Sequence, residues 1–196
     1  MTPELRHLRY FIAVAEHRSF TCAARELHIA QQSLSQQITV LERALGMRLL
    51  ERDARGARLT DVGGIFLVEA REVLARADAA LTTARRAARG EVGRLTVAFL
   101  ESLATSLAMP VVDAFHTQFP DVHLTTVDVV DGRLLAGVKE GRYDAAFTRP
   151  PLADGLLGRT VPKARTRPAE TIIVWQKHAD KPALRSFLCV VTTTLG

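Results

Sequence analysis

The sequence predicts a mostly α-helical N-terminal half followed by an α/β C-terminal half. Apolar residues recur at helical spacing through the first 45 residues and again from 61 to about 89. After residue 90, short apolar runs alternate with helical patterns, which is typical of a parallel sheet. With 196 residues, 47% of them apolar, the chain can form two small domains with separate cores.

Three short helices are expected first. The first is predicted to begin at Thr2, because a hydroxyl cap followed by proline is a common helix start. Ser19 or Thr21 can cap the second, and the third covers 30–46 and ends at Gly46. The apolar stripes of these helices face one another, which predicts a small three-helix core.

A β-hairpin and a long helix are predicted next. Residues 48–50 are expected to form a strand, 52–58 a basic loop around a glycine, and Leu59 the returning strand. Thr60 then caps a helix that reaches about Arg89, on the order of 40 Å long at 1.5 Å per residue. The apolar stripe of this helix is discontinuous, and the three-helix core is too small to cover it. We therefore expect the chain to dimerise, with a second copy of the helix covering the stripe.

The C-terminal half shows a βαβαβ pattern after a predicted hinge at 90–93. Strands are expected at 95–99, 122–129 and 144–147, with helices at 103–119 and 134–140. The pattern then fails over 149–170, which holds four of the eight prolines and is expected to be irregular. A strand at 171–175 and a last helix from about residue 180 close the chain.

Positive charge is concentrated in the first half of the chain. Up to Arg94 there are 15 arginines, no lysine and 11 carboxylates, a net charge of +4, whereas the remainder carries only +1. Guanidinium groups bind phosphate as a planar fork, so this distribution favours a nucleic-acid partner for the N-terminal half.

Several other classes of protein are not expected. Cys22 and Cys189 lie far apart and the six histidines lack metal-ligand spacing, so neither a disulfide scaffold nor a metal site is predicted. Neither a signal pattern nor an apolar run long enough for a membrane span is present, which predicts a cytoplasmic protein. No nucleophile elbow, zinc-protease, P-loop or dinucleotide motif occurs, so we expect neither an enzyme nor a cofactor.

The third helix carries a polar, nearly uncharged outer face. Amide side chains can pair with adenine in a bidentate way, and serine reaches bases or phosphates. The alternative is a solvated face that is merely rich in glutamine. The hairpin arginines beside it, Arg52, Arg55 and Arg58, favour groove reading because they can contact phosphate or a narrow minor groove. The candidate DNA-contacting residues of the helix are Gln31, Gln32, Ser33, Ser35, Gln36 and Thr39.

Residues 8–64, LRYFIAVAEHRSFTCAARELHIAQQSLSQQITVLERALGMRLLERDARGARLTDVGG, resemble the LysR-type transcriptional regulators nearly position by position. The resemblance continues more weakly to residue 151. It implies a winged helix-turn-helix domain over 1–60, a dimerising linker helix over 61–90 and a partial α/β periplasmic-binding-protein-like effector domain over 91–196. It also implies base contacts by Gln31, Gln32, Ser35 and Gln36, and backbone contacts by Ser33, Arg52, Arg58 and Thr60.

The sequence departs from the family pattern in places. Ala30 stands where a capping Ser or Thr is usual, Gln32 where proline is common and Cys22 where a basic residue is common. The chain also passes from AAFTRPP almost directly to ETIIVWQKHADKPALRSFLCVV, so the second effector subdomain is expected to be missing, with 149–170 at its place of insertion.

The family's effector residues fall here on Glu101, Ser102, Thr148 and Arg149. With one wall of the effector cleft missing, the alternative is that these residues only cap helices or stay solvated.

The expected function is a sequence-specific regulator that binds a promoter inverted repeat as a dimer or tetramer. A small-molecule effector and RNA polymerase are further candidate partners, and no membrane partner is expected. The alternative is a truncated module that binds DNA and dimerises, senses nothing and antagonises full-length relatives.

Overall fold

The N-terminal part of the chain is built around three helices: α1 (Leu5–His17), α2 (Phe20–Glu26) and α3 (Gln31–Leu45). The structure, a computed structural model, describes residues 2–53, 56–100, 109–129, 133–161 and 171–195. It divides into two units, Met1–Leu81 and Thr82–Gly196.

Helix α1 begins at Leu5 and not at Thr2, so the predicted start is wrong. Glu4 is the N-cap: its side chain accepts the backbone N–H of His7, while the His7 ring accepts the Glu4 N–H at 2.8 Å. This reciprocal cap satisfies backbone N–H groups that have no partner within the first turn, and so fixes the start of the helix at Leu5. Ser19 caps α2 by accepting the Cys22 N–H, as one of the two predicted alternatives requires.

The core of the N-terminal unit lies where the three helices meet. Leu34, Ile38 and Leu41 of α3 are fully buried, which confirms the predicted inward stripe of that helix. No side chain caps α3 at Ala30, and Gly46 ends the helix with a φ of 70°, a conformation that glycine adopts without strain.

The predicted hairpin consists of β1 (Leu50–Asp53) and β2 (Gly56–Leu59), paired antiparallel. The strands reach further toward the tip than expected, so Arg52 and Arg58 lie on strands and not in a loop. The extension has a physical cause: the Ala57 N–H donates to the Arg18 carbonyl at 2.9 Å, which anchors β2 to the end of α1. Arg55 lies outside the described residues.

The long helix is confirmed as α4 (Asp61–Ala88), 28 residues or about 42 Å. Its first turns pack on the three-helix core through Phe66, whose ring lies 5.3 Å from that of Phe11. Further large apolar side chains of α4 are exposed. They are Val62, Ile65, Val68, Val73 and Leu81.

In the described part of the C-terminal unit, a five-stranded sheet with strand order β4-β3-β5-β7-β6 packs with three helices. The strands are β3 (Gly93–Leu100), β4 (Val122–Val129), β5 (Ala145–Thr148), β6 (Leu156–Val161) and β7 (Thr171–Gln176). The helices are α5 (Met109–Gln118), α6 (Leu134–Lys139) and α7 (Pro182–Leu195). Strands β4 and β5 run parallel to β3, which confirms the predicted βαβαβ arrangement. The first six residues of the predicted helix at 103–119 lie outside the described residues.

Residues 149–170 were predicted to be irregular. The prediction is wrong for Leu156–Val161, which form the strand β6. This strand pairs antiparallel with β7, which itself runs antiparallel to β5. Since β6 is an edge strand with only Leu156 and Val161 buried, its sequence lacks the apolar alternation that marks an inner strand. Residues 162–170 lie outside the described residues.

The predicted hinge at 90–93 is packed against the start of α7. A Cβ added at Gly90 would lie 2.4 Å from the Pro182 carbonyl oxygen, so only glycine fits there, and φ is +73°. The Asp144 carboxylate, just before β5, accepts hydrogen bonds from the Thr96 N–H at 2.8 Å and from the Lys181 ammonium group at 2.7 Å. These contacts join the start of α7 to β3 and to the residue that leads into β5.

Two arginines at and just after the end of α4 form ion pairs with nearby carboxylates. Arg86 donates to Asp121 at 2.6 Å and to Glu91 at 3.3 Å, and these hydrogen bonds raise the pKa of its guanidinium. Arg89 also donates to Glu91, which lowers the pKa of that carboxyl below its ordinary value.

Candidate nucleic-acid interface

The side of α3 that points away from the core carries the predicted DNA-contacting residues. Gln31, Gln32, Ser33, Gln36 and Thr39 are exposed, whereas Ser35 is half-buried. The same helix buries Leu34, Ile38 and Leu41 completely, so packing fixes which face of α3 meets solvent. The amphipathic pattern therefore directs the polar side chains of α3 to solvent, where they form a row along the helix.

The glutamine side chains of this row remain available to a partner. Within the described residues, the amides of Gln31, Gln32 and Gln36 form no hydrogen bond to the protein. Thr39 differs, because its hydroxyl donates to the Ser35 carbonyl at 3.0 Å and keeps only acceptor capacity for a ligand. Free amides offer both a donor and an acceptor, which is the combination that bidentate pairing with adenine requires.

Gln37, which the sequence analysis did not single out, is held by α1. The buried His7 ring lies 2.9 Å from the Gln37 amide oxygen through Nε2, while its Nδ1 accepts the Glu4 N–H. Since Nδ1 accepts, Nε2 carries the proton and donates to Gln37. The contact spans 30 positions of sequence, so no local pattern could have revealed it. It fixes α3 against the start of α1.

The hairpin carries two of the three predicted arginines, Arg52 on β1 and Arg58 on β2, and Arg52 lines a groove that the end of α3 also lines. The Arg52 guanidinium lies 4.0 Å from the centre of the Phe20 ring, a cation–π contact that holds the side chain over α2. Arg52 and Arg58 are exposed, and neither forms an ion pair with any residue the structure describes. Within the described residues no ion pair therefore neutralises their positive charge, although Glu51 lies opposite Arg58 in the strand register.

Thr60, predicted as a backbone contact, is engaged within the protein. Its hydroxyl donates to the Arg48 carbonyl at 2.9 Å and accepts the Gly63 N–H at 2.9 Å. Thr60 thus caps α4 and ties it to the base of the hairpin. This leaves one lone pair of the oxygen for other contacts.

Glu42 is a second residue that sequence reasoning missed. One of its carboxylate oxygens accepts the backbone N–H groups of Leu49 at 2.8 Å and Leu50 at 3.1 Å. A carboxylate at the end of α3 thereby anchors the start of β1, which sets the hairpin at a defined position next to the helix. The sequence showed only an acidic residue near a helix end.

The predicted effector residues are only partly described. Glu101 and Ser102 lie outside the described residues. Thr148 is the last residue of β5, pairs with Ile172 of β7 and is buried, whereas Arg149 follows it and is exposed.

Neither a cluster of metal ligands nor a membrane-spanning helix occurs in the described ranges. Nowhere in them do three or more His, Cys, Asp or Glu side chains come together as metal ligands. None of their helices combines the length and apolar character needed to cross a membrane.

Comparison with known proteins identifies the family. Residues 5–64 match the bacterial regulatory helix-turn-helix proteins of the lysR family, and residues 88–161 match the LysR substrate binding domain. The HTH-type transcriptional regulator TfdT of Cupriavidus pinatubonensis is 36% identical over 154 residues, which cover 78% of this chain and 68% of TfdT. The chain belongs to the LysR family. The resemblance of residues 8–64 predicted this membership, and it is confirmed.

Other relatives of this LysR-family chain are longer. The HTH-type transcriptional regulator BudR of Raoultella terrigena is 44% identical over 149 residues, which cover 76% of this chain but 51% of BudR. The chain spans about half the length of this and several other curated relatives.

Among solved structures, the LysR-family regulator CbnR superposes with a TM-score of 0.86 at 22% identity, over 96% of this chain and 100% of the CbnR chain. This similarity confirms the predicted fold, a winged helix-turn-helix with a long helix and a partial α/β domain.

Proposed function

We propose that this LysR-family chain is a sequence-specific DNA-binding transcription regulator that recognises a promoter inverted repeat. One observation carries the proposal: α3 presents a row of exposed glutamine amides, and Arg52 of the hairpin, which has no ion pair within the described residues, lines the same groove as the end of α3. Amides read base edges, and guanidinium groups bind the phosphates next to them. The names of TfdT and BudR, both HTH-type transcriptional regulators, support it.

Each residue has a proposed role in this complex. Gln31, Gln32, Ser35 and Gln36 contact base edges in the major groove, because they lie in the N-terminal half of α3. The remaining residues contact phosphates or sugars, Thr60 through its one spare lone pair. They are Ser33, Thr39, Arg52, Arg55, Arg58 and Thr60.

The partner that completes the complex is a second copy of the chain. The exposed apolar side chains along α4, such as Ile65 at 69% and Val68 at 56% exposure, need a cover that a second α4 supplies. A two-fold dimer then requires half-sites about one helical turn, roughly 34 Å, or multiples of it apart. Two such dimers form a tetramer through their C-terminal units, as the LysR resemblance implies.

Three narrower statements belong to this proposal. The chain acts in the cytoplasm on bacterial DNA, without catalysis of its own. The region that matches the LysR substrate binding domain supports a small-molecule effector, with Glu101, Ser102, Thr148 and Arg149 as its candidate contacts. RNA polymerase is a candidate partner at the promoter. The relatives are named as regulators, so a truncated module that only antagonises longer relatives is not favoured.

The deciding experiment is a selection of genomic DNA fragments by the purified chain at near-physiological salt, followed by sequencing. We expect enrichment of a few fragments that share an inverted repeat. Uniform and salt-sensitive recovery of all fragments would contradict sequence-specific recognition, because charge alone binds DNA in that way.

The effector is tested separately by thermal unfolding of the chain with small organic acids and aromatic compounds. A ligand that binds only the folded state raises the unfolding temperature in proportion to the logarithm of its concentration. Absence of any shift across the panel would contradict the effector assignment but leave DNA recognition standing.

A further inference from the structure

A polar groove of about 640 Å³ lies between the C-terminal half of α3 and the start of the hairpin. We call it the wing groove. Its lining comes from α3, from the turn after α3 and from β1. The side chains that matter here are Thr39, Glu42, Arg43, Arg48 and Arg52.

The arginines of the wing groove lack anionic partners. Arg43, Arg48 and Arg52 are exposed, and none lies within 4.0 Å of a carboxylate in the described part of the chain. Elsewhere in the same unit, Arg6 pairs with Glu4 at 2.8 Å and Arg71 with Glu16 at 2.6 Å. The groove therefore gathers three positive charges that the protein leaves open to a ligand.

The acidic residue in the groove does not neutralise them. Glu42 directs one oxygen at the backbone N–H groups of Leu49 and Leu50, and forms no ion pair with the groove arginines. Its charge is therefore partly offset by backbone dipoles. The groove as a whole keeps a net positive charge, because three arginines face one carboxylate.

The proposed DNA complex determines what must pass through this space. With the N-terminal half of α3 in the major groove and the hairpin directed at the neighbouring minor groove or its edge, a sugar–phosphate strand has to cross between them. The wing groove is the gap between those two elements. Phosphates on that strand would lie among the groove arginines, which suit them as planar, always charged donors.

We propose that the wing groove seats one sugar–phosphate strand of duplex DNA, with Arg43 and Arg48 as phosphate-binding residues beside Arg52. The assignment rests on the proposed function for the placement of α3. It adds two contacts that the sequence did not single out, and it gives Glu42 a positioning role in shaping the groove.

The test measures how the binding constant for a fluorescein-labelled duplex of random sequence depends on salt. The plot of log K against log salt has a negative slope. Arg43→Ala and Arg48→Ala should each make this slope less steep by about 0.9, and the double variant by about twice that. Arg43→Lys and Arg48→Lys keep the charge and should retain the wild-type slope. The matched control is Arg185→Ala on α7, which removes the same charge from the other unit and should change nothing.

The outcomes separate this inference from the proposed function. A wild-type slope in either alanine variant overturns the assignment of that arginine, and an equal loss in Arg185→Ala overturns the groove as the cause. Failure of the wild-type chain to bind the random duplex overturns the inference as a whole. If the genomic selection recovers no shared site while the two variants still make the slope less steep, the phosphate seat stands and sequence-specific regulation falls.

Discussion

Four arginines of the C-terminal unit and the three arginines of the wing groove have opposite surroundings. In the C-terminal unit, Arg86, Arg89, Arg142 and Arg185 each lie 2.6 to 2.9 Å from a carboxylate. Around the wing groove, the arginines have no such partner among the described residues. Guanidinium groups paired on the surface contribute little to stability, whereas those left open raise the potential that attracts an anion. The contrast supports the proposal that the wing groove meets nucleic acid.

Glutamine shows the same division. In the C-terminal unit, the Gln176 amide donates to the Val138 and Lys139 carbonyls at 2.9 Å and so satisfies the end of α6. On α3, the exposed glutamines have no protein partner within the described residues. A side chain whose hydrogen bonds are complete stabilises the fold, and one whose bonds are open is available for recognition.

The largest expected effect separates the two faces of α3. Leu34→Ala removes a fully buried side chain and should lower the free energy of unfolding by about 2–5 kcal/mol, because it leaves a cavity in the three-helix core. Urea denaturation measures this loss. Gln36→Ala on the opposite face is the control and should leave stability unchanged. Equal stability of both variants would contradict the assignment of the faces.

Glu42 tests whether the hairpin depends on α3 for its position. Glu42→Ala leaves two backbone N–H groups without their acceptor and should cost about 1–3 kcal/mol of stability. Glu42→Gln keeps an oxygen acceptor and removes the negative charge, so it should preserve stability better and strengthen binding to random DNA. Weaker DNA binding by the glutamine variant would argue against an anionic strand in the wing groove.

A Gln36 variant separates recognition of a DNA sequence from charge-driven binding to any DNA. Gln36→Ala should weaken binding to the selected inverted repeat by about 1–3 kcal/mol and relax the preference at one base pair. Binding to random DNA should stay close to wild type. Fluorescence anisotropy with both duplexes measures the two effects, and an equal loss on each would remove Gln36 from the base-contacting set.

The smallest effect concerns the paired charges of the C-terminal unit. The hydrogen bond from Arg89 lowers the pKa of Glu91, so its stabilising contribution is present above the ordinary carboxyl pKa and is lost as pH falls through the lowered value. Glu91→Gln should therefore unfold at a slightly lower temperature at neutral pH and lose less on acidification. Identical pH profiles of thermal unfolding would show that these surface pairs contribute nothing measurable.

Local patterns predicted most of the N-terminal unit. The apolar spacing of α3 identified both Leu34 as core and Gln36 as solvent-facing, because a helical repeat of 3.6 residues sorts side chains by face without any distant partner. The hairpin and the length of α4 were predicted on the same basis. The first helix was placed too early because Thr2 and Pro3 are good start signals, yet the reciprocal cap of Glu4 and His7 decides the start.

Contacts between distant segments were beyond local reasoning. The strand β6 was predicted as irregular because it is exposed along most of its length and acquires its regular structure only by pairing with β7. Likewise, the 90–93 segment looked like a hinge because glycines permit many conformations, whereas α7 packs against it.

The sequence by itself determined the family, the buried and exposed faces of α3, the basic character of the N-terminal half and the parallel part of the sheet. The family follows from the resemblance of residues 8–64, and the other features follow from residue type and periodicity along the chain. Only the tertiary structure decided that His7 holds Gln37, that Glu42 anchors β1, that Phe20 lies under Arg52 and that arginines gather around the wing groove. Each of these joins segments whose proximity arises from packing of the whole unit, which local patterns do not encode.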